Sequence, residues 1–313
     1  MNNTSVGIRG SSYYLPPRVE LAAFATATGM PESRLELYSK THGLRAVHVA
    51  EAKDGPLEMA TKAVSKLLSE QELDPLAVDA IVVYHTMWLL SLEPKTLVGE
   101  LQNRLGLKRA FGFSIGGQHC ASFLAALRVA RNMIVAGSAQ NIVLVGTDSF
   151  LGSLKREVPN ITLQGEGASA ALVRAGCERN RVLCIGTHVD GSFHKGIMAT
   201  QKEWERFNLA YYIASKRLIK QTLLKLSLSM DDITLIIPHN TNRSHCKRIV
   251  SILNVRENKV FVENIERCGH ICSSDLVINL TDANRAGTLR KGDYFLMFTV
   301  GLGAVWACAV MQH

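Results

Sequence analysis

Three side chains of this 313-residue sequence have the types and settings that nucleophilic acyl chemistry uses: Cys120, His239 and His270. Cys120 lies in "FGFSIGGQHCASFLAALRVARNMIVAG" (111–137). Phe111, Phe113 and Ile115 alternate with small or polar residues, the period of a strand. Gly116 and Gly117 permit a sharp turn. The Ala- and Leu-rich run that follows has no Pro and ends at Gly137, which predicts a helix over 120–136. Cys120 is therefore expected at a strand-to-helix elbow, in the first helical turn. Free N–H groups and the positive helix end stabilise a thiolate there and can hold an oxyanion. A buried structural cysteine is the competing reading, because free Cys is commonly buried.

His239 lies in "LIIPHNTNR" (235–243). Leu235 to Ile237 read as a strand end, and Pro238 stops ladder pairing. His239 is thereby placed at the C-terminal edge of the strand, where open α/β sheets set their ligands. A thiol and imidazoles meeting at one point are what acyl transfer through a covalent intermediate requires. Zinc competes for the same residue types. Cys268, His270 and Cys272 form C-x-H-x-C, and His245–Cys246 lies nearby. Zinc sites usually pair one C-x-x-C-like unit with another, so no metal is expected. Cys177, Cys184 and Cys308 read as core. "GEGA" (165–168) and "GLGA" (301–304) lack the Lys-Ser/Thr of a phosphate loop. They read as tight turns, and no cofactor is expected.

The elements that must position these residues repeat. "LLSEQELDPLAVDAIVVYHT" (67–86) resembles "LLKLSLSMDDITLIIPHNT" (223–241). "FGFSIGGQHCAS" (111–122) can be laid on "FVENIERCGHICSS" (261–274), "NIVLVGTD" (141–148) on "DYFLMFTVG" (293–301), and "GEGASAALV" (165–173) on "GLGAVWACA" (301–309). The pairs keep their order, so the chain divides into halves of 1–175 and 176–313. Helical segments are expected at 60–72, 95–106 and 120–136, then at 208–228, 242–253 and 273–285. They alternate with apolar strands, which implies α/β layers. Laying Phe111 on Phe261 carries Cys120 onto His270, so both are expected at equivalent helix starts facing a pseudo-twofold axis.

Composition is that of an ordinary globular chain, 47 % hydrophobic and 20 % charged. Seven scattered cysteines point to reduced thiols and a cytoplasmic setting. No signal-like h-region opens the sequence and no run reaches membrane-spanning length. The formal net charge of +8 comes without a nucleic-acid motif or aromatic–basic interleaving. No nucleic-acid or membrane partner is expected; an acidic protein or phosphate-bearing substrate accounts for the charge as well.

These motifs together resemble the thiolase superfamily, and within it ketoacyl-acyl-carrier-protein synthase III. "GSSYYLPPRVE" (10–20) resembles the family's opening strand and Leu-Pro turn, and "THGLRAVHVA" (41–50) its Thr-Gly-Ile-Arg segment. Cys120 falls on the nucleophile, "PHNTN" (238–242) on the Pro-His-Gln-Ala-Asn block, and "GLGAVWACAV" (301–310) on the closing Gly-rich strand. The resemblance implies a five-layered α/β/α/β/α fold of two pseudo-twofold-related halves and a homodimer. It implies acylation of Cys120 and an oxyanion hole from the N–H groups of Cys120 and Leu302. Three positions depart from the family. His270 stands where the family has Asn. Leu37 and Thr41 stand where a Trp and an Arg grip coenzyme A. Glu93 stands near the place of the Phe that a partner chain inserts.

The activity so implied is decarboxylative Claisen condensation of an acyl-S-Cys120 with a malonyl-type thioester, in a specialised fatty-acid or polyketide pathway. A non-condensing acyltransferase that passes the acyl group to an alcohol or amine is the alternative. A non-catalytic subunit of a ketosynthase pair is a further one. Acyl carrier protein or acyl-coenzyme A thioesters are the expected partners, with a carrier docked on Arg243, Lys247 and Arg248.

Overall fold

The computed structural model of the protein describes residues 5–86, 96–150 and 156–313. Glu93 lies outside the described residues. Nine strands form one sheet. They are β1 (Val6–Tyr14), β2 (Ala80–Tyr84), β3 (Phe111–Ile115), β4 (Asn141–Asp148), β5 (Gly167–Ala175), β6 (Arg181–Val189), β7 (Ile233–Pro238), β8 (Tyr294–Gly301) and β9 (Val305–Gln312). Six longer helices cover them: α1 (Pro56–Glu70), α2 (Leu97–Leu105), α3 (Ser122–Val135), α4 (Gln201–Leu224), α5 (Arg243–Leu253) and α6 (Asp275–Arg285).

The strand order is β7-β8-β9-β6-β1-β5-β4-β2-β3. Its two wings meet between β6 and β1, which share one register pair, Gly7 with Arg181. Each wing repeats the other. β2–β4 and β7–β8 are parallel pairs, and each is followed outward or inward by antiparallel neighbours in matching order. In the place corresponding to β3, Val260 makes a parallel bridge to Ile236.

Alternation along the strands sorts side chains into layers. On β2, Val82 and Tyr84 point to the centre, while Ile81 and Val83 point outward to α1 and α2. On β8, Phe295 and Met297 point to the centre, while Leu296 and Phe298 meet α4 and α5. The centre holds α3 and α6, which contact strands of both wings. The fold is thus the thiolase-like five-layered α/β/α/β/α arrangement of two pseudo-twofold-related halves. α3 is buried along Phe123, Leu124, Ala126, Leu127 and Ala130, the broad apolar surface that a central helix needs.

The helices fall close to their expected places, with one long difference. α4 begins at Gln201 rather than 208. A capping box at Thr200 and Glu203 starts it, and the polar first turn conceals the start from hydrophobic periodicity. The pseudo-symmetry also runs in a different register from the overlay of Phe111 on Phe261. The turn His119–Ala121 precedes α3 as the turn Cys272–Ser274 precedes α6. Both open on a non-glycine residue at φ 48°, His119 and Cys272. The counterpart of Cys120 is therefore Ser273, not His270. His270 lies before this turn and is no helix start. Its backbone bridges Gln164 instead. Between Phe261 and the turn, the second half carries the short helix Glu263–Arg267, whose extra residues defeat a gap-free overlay.

Close packing at the end of β8 fixes the Cys120 turn. A Cβ on Gly301 would lie 2.2 Å from the Gln118 carbonyl oxygen. Backbone on backbone leaves no flexible group to yield. Gly301→Ala should destabilise the protein by about 1–3 kcal/mol and slow alkylation of Cys120 by iodoacetamide; urea unfolding and timed peptide mass analysis check the two effects.

Candidate active site

Cys120, His239 and His270 reach one cavity of about 570 Å³. Each arrives from a different element. β3 ends at Ile115, and the chain reverses through Gly117 (φ 76°) and His119 (φ 48°) to set Cys120 just before α3. Cys120 is thus in a 3-10 turn ahead of the helix rather than in its first α-turn. Thr299 on β8 pins the turn, donating from Oγ1 to the Cys120 carbonyl at 3.2 Å. His239 follows Pro238 at the end of β7, its N–H donating to the Phe298 carbonyl at 3.1 Å. His270 sits between Gly269 and the turn before α6, held by the Gly165 N–H on its carbonyl at 2.7 Å.

A line of three groups runs through the site. Cys120 Sγ is 3.6 Å from His270 Nε2. His270 Nδ1 is 2.5 Å from Asp275 Oδ2. Asp275 opens α6 and is fully buried. Its carboxylate also accepts from the Ile271 N–H and the Asn240 N–H, each at 2.7 Å. These donors fix the carboxylate, and the carboxylate fixes the imidazole so that Nε2 faces sulfur. Burial alone would lower the His270 pKa. The charges of Asp275 and Cys120, with the hydrogen bonds to both, outweigh it and hold the pKa well above that of an ordinary histidine.

His239 is tuned the opposite way. Burial, then the neighbouring His270 and His245, push its pKa well below the ordinary value, so it is a neutral imidazole. Its Nε2 pairs with the Tyr211 hydroxyl at 3.1 Å. Burial raises Tyr211 well above the usual phenol range, so that hydroxyl keeps its proton. His239 Nδ1 is buried without a partner. The two imidazole rings lie 5.8 Å apart, nearly perpendicular. One neutral and one charged imidazole beside a thiol can serve as donor and as proton carrier respectively.

Leu302, in the turn between β8 and β9, lines the same cavity, whose walls are otherwise largely apolar: Phe150, Val158, Ile161, Phe207 and Val300. Of C-x-H-x-C, His270 alone reaches it. Cys268 packs against Ile271 and Ile278, and burial pushes its thiol up to about 12. Cys272 accepts from Gln164 Nε2 at 3.3 Å, and burial raises it well above the usual thiol range. Burial likewise holds Cys246 at about 12 and Cys308 at about 11. Among the described residues, no group of three or more His, Cys, Asp or Glu could hold a metal ion.

The three cations on α5 differ from one another. Arg243 pairs with Glu266 at 3.0 Å and lies against Gly43. Lys247 and Arg248 are exposed, and the Arg248 guanidinium covers the Tyr212 ring at 4.1 Å. His245 on the same helix lines the cavity. Leu37 and Thr41 bound one π-helical turn around the buried Tyr38. Sequence reasoning missed Asp275 and Tyr211. An Asp at the start of a helix reads as ordinary capping chemistry, and Tyr211 sits among the apolar positions of α4.

A buried cysteine on a strand-to-helix turn, two histidines beside it and five α/β layers define the thiolase-like acyl-handling class. Residues 117–191 match the family model of 3-oxoacyl-[acyl-carrier-protein] synthase III, and residues 223–313 match its C-terminal model. The chain belongs to this family. It is similar to a beta-ketoacyl-[acyl-carrier-protein] synthase III of Aquifex aeolicus, 26 % identical over 317 aligned positions covering 98 % of this chain and 99 % of that one. The crystal structure of the Aquifex aeolicus synthase superposes with a TM-score of 0.83 at 23 % identity, covering 98 % of this chain and 100 % of that one. The acyltransferase ChlB3 superposes with a TM-score of 0.85 at 21 % identity, covering 98 % and 97 %. These structural likenesses establish the fold.

Two measurements follow from the geometry. Asp275→Asn removes the charge that supports the His270 imidazolium, and alkylation of Cys120 at pH 7 should slow by about tenfold or more. The second concerns His245, which burial lowers from 6.5 to about 4, with His42 and Arg248 adding to the shift. A depressed histidine favours folding above the unfolded pKa, and that contribution is lost as pH falls from 6.5 toward 4. His245→Gln should therefore shrink the drop in the urea midpoint between pH 7 and pH 5.

Proposed function

We propose that the protein is a condensing enzyme of the ketoacyl synthase III type that works through an acyl-S-Cys120 intermediate. The observation that carries this reading is the Cys120–His270–Asp275 line beside a neutral His239 in one apolar-walled cavity. In the first half-reaction, the Cys120 sulfur, its proton held on His270, attacks the carbonyl carbon of an acyl thioester. The N–H groups of Cys120 and Leu302 hold the resulting oxyanion. Collapse expels the donor thiol, which leaves with the proton from His270. In the second, a malonyl-type thioester loses carbon dioxide. Neutral His239 donates its N–H to the enolate oxygen, and the enolate carbon attacks the acyl carbon. A C–C bond forms and the Cys120 sulfur departs as thiolate.

Acyl carrier protein or acyl-coenzyme A thioesters deliver both units. The exposed cations Lys247 and Arg248, with Arg243 at the start of α5, form the docking edge for an acidic carrier. The halves 1–175 and 176–313 act as one body, because each contributes part of the site. The enzyme works as a cytoplasmic homodimer in fatty-acid or polyketide synthesis. Among the described residues no helix is long and apolar enough to cross a membrane.

One observation favours a second reading, transfer of the acyl group to an alcohol or amine. With Nδ1 held by Asp275, His270 is arranged as a proton acceptor, which the Asn usual in this family is not. Intact-mass analysis after incubation with acyl-coenzyme A and acyl-carrier thioesters should show an adduct, mapped to Cys120 and absent from Cys120→Ala. Addition of a labelled malonyl thioester should then release carbon dioxide in step with product. A Cys120 adduct without such release, discharged by an alcohol or amine instead, would overturn condensation. His270→Asn separates the two roles. From acyl-enzyme formed beforehand, which bypasses the activation of Cys120, condensation should survive within about tenfold, whereas transfer that needs a base should fall by about 100-fold or more.

A further inference from the structure

The sequence carries a net charge of +8 that the catalytic cavity does not use. Much of it converges elsewhere. A second concavity of about 930 Å³ lies between β1, the β5–β6 turn, the end of α6 and the turn before β8. We propose that this groove is a binding site for a small polyphosphorylated ligand.

Its cations are Arg9, Arg174, Arg179, Arg285, Arg290 and Lys291. Two have acidic neighbours: Arg285 pairs with Glu70 at 3.3 Å, and Lys291 with Glu178 at 3.7 Å. Among the described residues, Arg9, Arg174, Arg179 and Arg290 make no ion pair and no side-chain hydrogen bond. They come from three segments, β1, the β5–β6 turn with its flanks, and the turn before β8, so their approach is a product of the fold rather than of a basic run in the sequence. Cys177 and His313 line the groove beside them.

Backbone geometry supports a built site. The β1–β5 ladder skips Arg9, which sits in a register shift between Ile8 and Gly10. Such a bulge re-aims a side chain. The pseudo-symmetric strand β6 has the same shift between Val182 and Cys184, and there the skipped residue is Leu183, packed on the core. One half thus packs a half-buried apolar residue on the core where the other presents an arginine to the groove.

Shape and chemistry choose the ligand class. Like charges held together without counter-charges repel, and a polyanion relieves that repulsion. Planar guanidinium groups match phosphate oxygens in pairs. A concavity of this size suits a small molecule rather than a flat macromolecular face. The site is separate from the chemistry. α6 begins at Asp275 in the catalytic line and ends at Arg285 in the groove, about 16 Å of helix away.

Isothermal titration of the full chain with sodium tripolyphosphate and with ATP, in 150 mM salt, tests the proposal. One saturable site is expected, with affinity about tenfold weaker or more in Arg174→Glu and in Arg290→Glu. Alkylation of Cys120 should be unchanged in both variants, showing that they are folded. Equal affinity for the two probes assigns the site to a phosphate chain alone, and tighter ATP binding assigns it to a nucleotide. Failure of both probes to saturate would overturn the proposal, as would affinities that ignore the substitutions. Binding of phosphatidylglycerol vesicles without tripolyphosphate binding would also overturn it, in favour of a membrane face.

Discussion

The contact between Asp275 and His270 is the constraint around which this site is built. A carboxylate taken wholly out of water is costly unless donors surround it. Here the donors are the His270 ring and the N–H groups of Ile271 and Asn240. His270 and Ile271 are neighbours in the segment just before α6, and Asn240 lies in the loop after β7. To satisfy one carboxylate, the fold must bring that loop against the start of α6. Asn240 extends the demand. Its side chain meets Asn279 one turn further along α6, and Asn279 returns to the Pro238 carbonyl beside His239. The second histidine is therefore positioned by the same buried network that orients the first.

That network sets the two imidazoles to opposite protonation states. His270 faces a carboxylate and a thiol, so its charged form is favoured despite burial. His239 faces a phenol and another imidazole, so burial prevails and its neutral form is favoured. Environments that push like groups apart in pKa assign them separate tasks. In the proposed cycle, the imidazole that holds the sulfur's proton and the uncharged donor to the enolate need not exchange roles. His270, oriented by Asp275, has a ring N–H where an Asn would have its amide, and adds a capacity to hold a proton.

The layered fold was legible because periodicity survives without structure. Strands such as Ala80–Tyr84 and Tyr294–Gly301 are short apolar runs, and the helices between them carry their own spacing. Cys120 and His239 were legible because Gly, Pro and a strand end mark them locally. Asp275 and Tyr211 were not, because their meaning is purely tertiary. Nothing within "CSSDLV" or "AYYIAS" states which histidine will be the neighbour. The mistaken equivalence of Cys120 and His270 under the internal repeat has the same origin. Overlaying sequences without gaps cannot see that Glu263–Arg267 makes a helix of its own and delays the turn before α6.

The corrected register shows how two equivalent turns come to serve different ends. Two like turns at φ 48° meet near the axis, one presenting Cys120 and the other Ser273. Ser273 does not face the cavity chemistry. Its hydroxyl and N–H bind the buried Asp148, at 2.6 and 3.1 Å, and Asp148 in turn accepts from the Thr86 N–H at 2.7 Å. The second turn is thereby locked to the first half by the residue that stands opposite the nucleophile. Symmetry supplied two equivalent elbows, and hydrogen bonding made them different: one sulfur is left facing a histidine, and one hydroxyl is used to hold the two halves in register.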